Sequence, residues 1–132
     1  MTVREGCCPC GQLVVRCTGD PVRVSVCHCL DCQRRSGSAF SAQARWPAGD
    51  VALIGVSSQW TKQAESGSRA TFSFCPHCGA NMLYRSDAMP DLVAVPIGGF
   101  ADPKFPAPVY SVYEDRKQSW VEITSPGTDH YA

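Results

Sequence analysis

Three short cysteine clusters constrain this chain more than any other feature. Cys8-Pro9-Cys10-Gly11 is a C-x-C preceded by Cys7. Cys27-His28-Cys29-Leu30-Asp31-Cys32 is a C-x-C-x-x-C, and Cys75-Pro76-His77-Cys78-Gly79 is a C-x-x-C-G. In an extended segment, residues i and i+2 point to the same side, so a C-x-C presents two thiolates to one ion. A C-x-x-C turn does the same, and a following glycine permits the close backbone turn. The cysteines number nine, an odd count, and the chain reads as cytosolic; both argue against a full disulfide framework and for thiols that hold metal.

With Cys7 set aside, the clusters supply seven thiols. A structural zinc takes four ligands, whereas a catalytic zinc often takes three and keeps one position open. Seven divides into four and three. The two outer pairs, Cys8, Cys10, Cys75 and Cys78, can build a closed structural site. Cys27, Cys29 and Cys32 then hold a second, catalytic zinc with one position free. In the alternative partition the second site is also closed, by His28, Cys7 or Cys17, and only staples the fold.

The rest of the sequence describes a mainly β, turn-rich chain. Its 132 residues suit one compact domain, spanning 1–132, that buries roughly two-thirds of its unfolded surface. The 11 glycines and 10 prolines provide many turns, and helical periodicity is weak everywhere. Strands are expected over 12–18, Val22–Val26, Ser38–Trp46, Val51–Ile54, Trp60–Ala64, Ala70–Phe74, Met82–Arg85, Leu92–Ile97, Val109–Tyr113 and Ser119–Ile123. The 12 Lys+Arg balance the 12 Asp+Glu, which argues against nucleic acid or an anionic membrane as partner. The longest apolar stretch, Leu92 to Ile97, is too short to span a bilayer. The N-terminus carries no visible signal peptide, so a cytoplasmic location is expected.

At these residues the sequence resembles the glutathione-dependent formaldehyde-activating enzymes, whose relatives include centromere protein V. The family pattern runs G-x-C-x-C-G, then C-H-C-x-x-C-R-x-x-x-G-S-x-F, then F-C-x-x-C-G. Here it stands as Gly6-Cys7-Cys8-Pro9-Cys10-Gly11, as Cys27 to Phe40 with Gly37-Ser38 in place, and as Phe74-Cys75-Pro76-His77-Cys78-Gly79. Gly98 to Pro103 resembles the family's G-x-x-D-D-P turn, and Pro108 to Trp120 its segment ending in tryptophan, so the likeness spans about residues 6–123. It implies a single zinc-clipped, β-tent-like domain with two zinc ions per chain. The structural ion falls on Cys8, Cys10, Cys75 and Cys78, and the catalytic ion on Cys27, Cys29 and Cys32. Three positions depart from the pattern: Gln33 stands for an arginine or lysine, Ala101 for the first aspartate of the turn, and Ser111 for a frequent histidine.

Three thiolates give zinc a net charge near −1 and make it a poor activator of water. Holding a thiol as thiolate suits it better. The resemblance implies a carbon–sulfur lyase whose partners are a small-molecule thiol and an aldehyde, joined as S-(hydroxymethyl)glutathione or a related adduct. The alternative is a non-catalytic zinc module that binds another protein. Arg34 and Arg35 are candidates to attract the thiol's carboxylates. Gly37 and Ser38 are candidates to bring backbone N–H groups near the site. His28, between two ligands of an extended knuckle, is expected to point away from the metal, toward solvent or in support of the ligands. His77 and His130 are expected at the surface. Phe40, Trp46, Trp60 and Trp120 are expected in the core, with Cys17 packed in a strand as a small apolar residue.

Overall fold

The computed structural model describes residues 2–63 and 67–132. Eleven strands form two sheets among the described residues. β1 (Val3–Cys7), β2 (Val14–Thr18) and β5 (Val51–Ile54) make a three-stranded antiparallel sheet in the order β1-β2-β5. The larger sheet is built from β3 (Arg23–Cys27), β4 (Ser41–Pro47), β6 (Ser58–Gln63), β7 (Arg69–Phe74), β8 (Asn81–Ser86), β9 (Met89–Pro96), β10 (Tyr110–Val112) and β11 (Asp129–His130). Its order is β11-β10-β3-β4-β9-β8-β7-β6.

Side-chain alternation sorts the large sheet into two faces. Val24, Ala44, Trp46, Val93 and Val95 project from one face and pack with Leu13, Val15 and Cys17 of the small sheet and its approach, forming the core. Trp46 is fully buried and its indole N–H donates to the Gly19 carbonyl at 2.9 Å. Cys17 packs in this core, as expected of a small apolar residue. The opposite face of the large sheet carries the polar alternates and becomes the wall of a pocket.

Most expected strands occur, with ends shifted by a few residues. Ala64, the end of the Trp60–Ala64 expectation, lies outside the described residues. Two expectations fail. The segment 119–123 forms no strand; it turns, with the Val121 N–H donating to the Gln118 carbonyl at 3.0 Å. The edge it would need is already taken, because β10 pairs with β3 on one side and β11 on the other, both parallel. Second, where weak helical periodicity pointed to no helix, the cysteine knuckle contains one, α1 (Leu30–Ser36), whose side chains are nowhere buried.

Candidate metal centres and the adjoining pocket

The outer cysteine pairs lie in the turns that follow β1 and β7. Each pair lies in a matching turn. Gly11 donates its N–H to the Cys8 carbonyl and Gly79 to the Cys75 carbonyl, both at 2.8 Å, and both glycines are left-handed, with φ of 84° and 80°. Side chains rarely adopt that conformation, so glycine closes each knuckle. The four sulfurs of Cys8, Cys10, Cys75 and Cys78 lie within 4.8 Å of one another. Cys8 and Cys10 are 3.5 Å apart at sulfur, and Cys10 and Cys75 are 3.6 Å apart. Tetrahedral ligation with metal–sulfur bonds of about 2.3 Å requires roughly 3.8 Å between sulfurs, so the group fits a zinc-sized ion.

Hydrogen-bond donors surround these sulfurs. The Leu13 N–H points to Cys8 Sγ at 3.3 Å and the His77 N–H to Cys75 Sγ at 3.4 Å. Gln12 Nε2 reaches Cys75 Sγ at 3.0 Å while the same amide grips Val56 through its N–H and its carbonyl. Burial pushes the Cys75 thiol up, but Gln12 and the backbone N–H groups of Cys78 and His77 hold it down to about 6. This is the environment of a thiolate ligand.

Cys27 ends β3, Cys29 caps α1 and Cys32 lies in its first turn; their sulfurs also fall within 4.8 Å of one another. Cys29 Sγ accepts the Cys32 N–H at 3.2 Å, which starts the helix. A hydrogen bond from the Cys27 thiol holds Cys32 down to about 5 against its burial, assisted by the Ser41 hydroxyl and the Arg35 guanidinium. The same bond and burial push Cys27 up. One thiolate is thus favoured at once, and an all-sulfur set of this size suits a borderline-soft dication. Among the described residues, no fourth His, Cys, Asp or Glu joins this group. His28, Cys7 and Cys17 therefore stay outside it.

His28 does turn from the sulfurs, but not toward solvent. It is fully buried, and its Nε2 meets Ser111 Oγ at 2.9 Å. Ser111, one of the departures from the family pattern, is itself fully buried and leaves no room for a larger side chain without repacking. Gln33, another departure, ties α1 down: its Nε2 donates to the His28 carbonyl at 2.8 Å and the Arg116 carbonyl at 3.0 Å. Ala101 takes a left-handed conformation, φ 49°, at the end of a 3-10 turn over Ile97–Phe100.

A pocket of about 600 Å³ opens beside the three-thiol group, and Cys27 and Cys32 belong to its wall. Arg34 and Arg35 line it as well. The Arg35 guanidinium lies 4.8 Å from the Phe72 ring centroid and 4.9 Å from that of Tyr84. Gly37 and Ser38 do not line it. The Gly37 N–H closes α1 on the Gln33 carbonyl and the Ser38 N–H bonds to Ser36 Oγ, so neither is free to meet a ligand. Sequence reasoning missed Arg23 and Arg45, which enter the wall from β3 and β4; only their even spacing from Cys27 and Ser41 along each strand marks them. It also placed Trp60 and Trp120 in the core. Trp60 is 54% exposed on the edge strand β6 and joins the pocket rim, stacked on Phe72 at 5.9 Å, while Trp120 is 75% exposed in the turn that replaces the expected last strand. His77 and His130 are exposed, His130 paired with Glu114 at 2.7 Å.

Among the described residues no helix is long and apolar enough to cross a membrane. The solved structure of a Rhodobacter sphaeroides protein, a Northeast Structural Genomics target, superposes with a TM-score of 0.58 at 15% identity, covering 97% of this chain and 99% of that one. That likeness concerns the fold. No curated protein matches the sequence. Residues 3–116, which hold all seven clustered thiols and most of the pocket wall, match the family described as Glutathione-dependent formaldehyde-activating enzyme, and the chain belongs to that family.

Proposed function

We propose that this protein is a zinc-dependent carbon–sulfur lyase that forms and breaks an adduct between a small thiol and an aldehyde, S-(hydroxymethyl)glutathione or a close relative. The observation that carries this reading is a three-thiol group, without a fourth protein ligand among the described residues, on the wall of a 600 Å³ pocket. Cys27, Cys29 and Cys32 would hold the catalytic zinc. Cys8, Cys10, Cys75 and Cys78 would hold a second, structural one. Bound zinc supplies a Lewis acid that keeps a substrate thiol ionised near neutral pH.

The reaction balances without any further reagent. The thiol sulfur bonds to the aldehyde carbon, the carbonyl π pair moves to oxygen, and the proton leaving sulfur ends on that oxygen. The reverse step breaks the carbon–sulfur bond and returns the proton. Arg35, stacked on Phe72 and Tyr84, holds positive charge beside the sulfurs. Arg34 and Arg35 would attract carboxylates of the thiol, whereas the N–H groups of Gly37 and Ser38 are already engaged and take no part. A cytoplasmic setting, where thiols are abundant and reduced, suits this chemistry.

The uncatalysed addition is appreciable, so the enzyme is expected to change the exchange rate and not the equilibrium position. Two-dimensional exchange NMR of formaldehyde, glutathione and their adduct, with and without zinc-loaded protein, reads that rate. Cys29→Ser serves as the control. An unchanged exchange rate across several thiols and aldehydes sinks the lyase and leaves a protein-binding zinc module.

A further inference from the structure

The pocket face of the large sheet carries a ladder of polar residues. Antiparallel register sets Cys27 opposite Ser41, Ser25 opposite Gln43, and Arg23 opposite Arg45. Alternate residues share a face, so the thiol end and the arginine end of this ladder look into one cavity. They are four residues apart along β3, about 13 Å at the rise of an extended strand. Arg45 leans back toward the thiols. Its Nη1 donates to Ser25 Oγ at 3.0 Å, which places the guanidinium against the Ser25 rung, itself about 7 Å from the Cys27 rung. The buried Gln43 braces this arrangement by donating to Ser25 O at 3.2 Å and Ser25 Oγ at 3.0 Å.

Neither arginine has a carboxylate partner among the described residues. Arg23 lies over the Tyr110 ring at 4.6 Å, and its Nε is buried with no hydrogen-bond partner among those residues. The one acidic side chain in the pocket wall, Asp31, is held by Lys62 at 2.9 Å. A half-buried guanidinium left without an anion is costly, and a buried donor with no acceptor adds to the cost.

We infer that Arg23 and Arg45 form a carboxylate subsite, so that the thiol partner is one whose carboxylate lies about 7 Å or more from its sulfur. Phe72 and Trp60 give the linking chain an apolar wall. Arg23 and Arg45 are specificity residues in this assignment and take no part in bond making. The inference rests on the thiol–aldehyde reading for the identity of the reacting end, but its test measures binding and not turnover.

Calorimetric titration of zinc-loaded protein with S-methylglutathione and with its dimethyl ester separates the two questions. The free acid is expected to bind roughly tenfold or more tightly than the ester. Arg45→Gln and Arg23→Gln are each expected to weaken the acid by about tenfold and to change the ester less than about twofold. The comparison of acid with ester in the unaltered protein needs no variant to fold. Equal affinities, or no saturable binding of either probe, overturns the subsite. Binding as expected with no acceleration of exchange leaves the subsite standing and removes the lyase.

Discussion

Replacing one sulfur in each metal group has unequal consequences, and the structure gives the size of the difference. Cys10 and Cys75, whose sulfurs touch, are 65 residues apart. Cys27 and Cys32 are five apart, on the end of β3 and the start of α1. A cross-link closing a loop of that longer length contributes about 4 kcal/mol by chain entropy, and one closing five residues about 2 kcal/mol at most. Cys75 is also fully buried in the core, whereas Cys29 and Cys32 are only half-buried. Cys75→Ser is therefore expected to cost about 4 kcal/mol or more, a large part of a typical domain's stability. Cys29→Ser costs about 2 kcal/mol or less. In a chain of this length 1 kcal/mol moves Tm by about 3–5 °C, so the two variants should melt roughly 6–10 °C apart. Thermal melts paired with zinc counts on the purified proteins make the measurement. The expected result is a stable Cys29→Ser protein that retains one zinc and a Cys75→Ser protein that unfolds early. Equal melting with both metals lost refutes the division into a clip and a reactive site.

Gln33→Ala removes three hydrogen bonds that fix α1, about 3 kcal/mol together, and should weaken zinc at Cys27, Cys29 and Cys32 by roughly tenfold or more with little change at the other group. Competition with a metallochromic chelator reads both affinities, and an unchanged weaker affinity contradicts the anchoring role. Ser111→Ala strips the buried His28 Nε2 of its partner and should destabilise the fold by about 1–3 kcal/mol in urea unfolding; a loss under 0.5 kcal/mol would show that the contact carries little weight.

Legibility in the sequence followed the physics of each element. Val22–Val26 was readable from its alternation, which puts Val24 in the core, and Val51–Ile54 from its short apolar run between turns, which packs Val51 and Leu53 against that core. β1 was not, since Val3–Cys7 is an edge strand with only Gly6 buried, held by pairing with β2. α1 was invisible to periodicity because it buries nothing. Its determinants are local: the Cys29 sulfur at its start, Asp31 in its first turn, Arg34 and Arg35 in its last, and a left-handed Gly37 after it. The metal groups were legible because ligand spacing is a short-range code. The arginine subsite was not, because it arises from the register of β3 on β4. His28 turns from the sulfurs as expected, but its burial was not legible for the same reason: its partner, Ser111, arrives from 83 residues away.

The two metal groups also differ in what holds them in place. Cys8, Cys10, Cys75 and Cys78 sit on two matching turns, each closed by a backbone bond, with Cys8 and Cys75 buried in the core. Only one member of the other group, Cys27, is anchored by a strand; Cys29 and Cys32 depend on a seven-residue helix with no buried side chain. That helix is held at its edges. Gln33 binds the His28 and Arg116 carbonyls, Gln118 Nε2 binds Gln33 Oε1 at 2.9 Å, and Arg35 lies across Phe72 and Tyr84. Arg35 thus joins the second and third thiols to β7 and β8, the strands on either side of the Cys75–Cys78 turn. A metal held by the four outer thiols would fix the ends of those strands, and the aromatic pair on them carries Arg35 and the side of α1 from which it projects. Because β3 and β7 run in the same direction, the two thiol groups lie at the same end of their strands, and the Arg35–Phe72–Tyr84 contact is the link between them across the pocket.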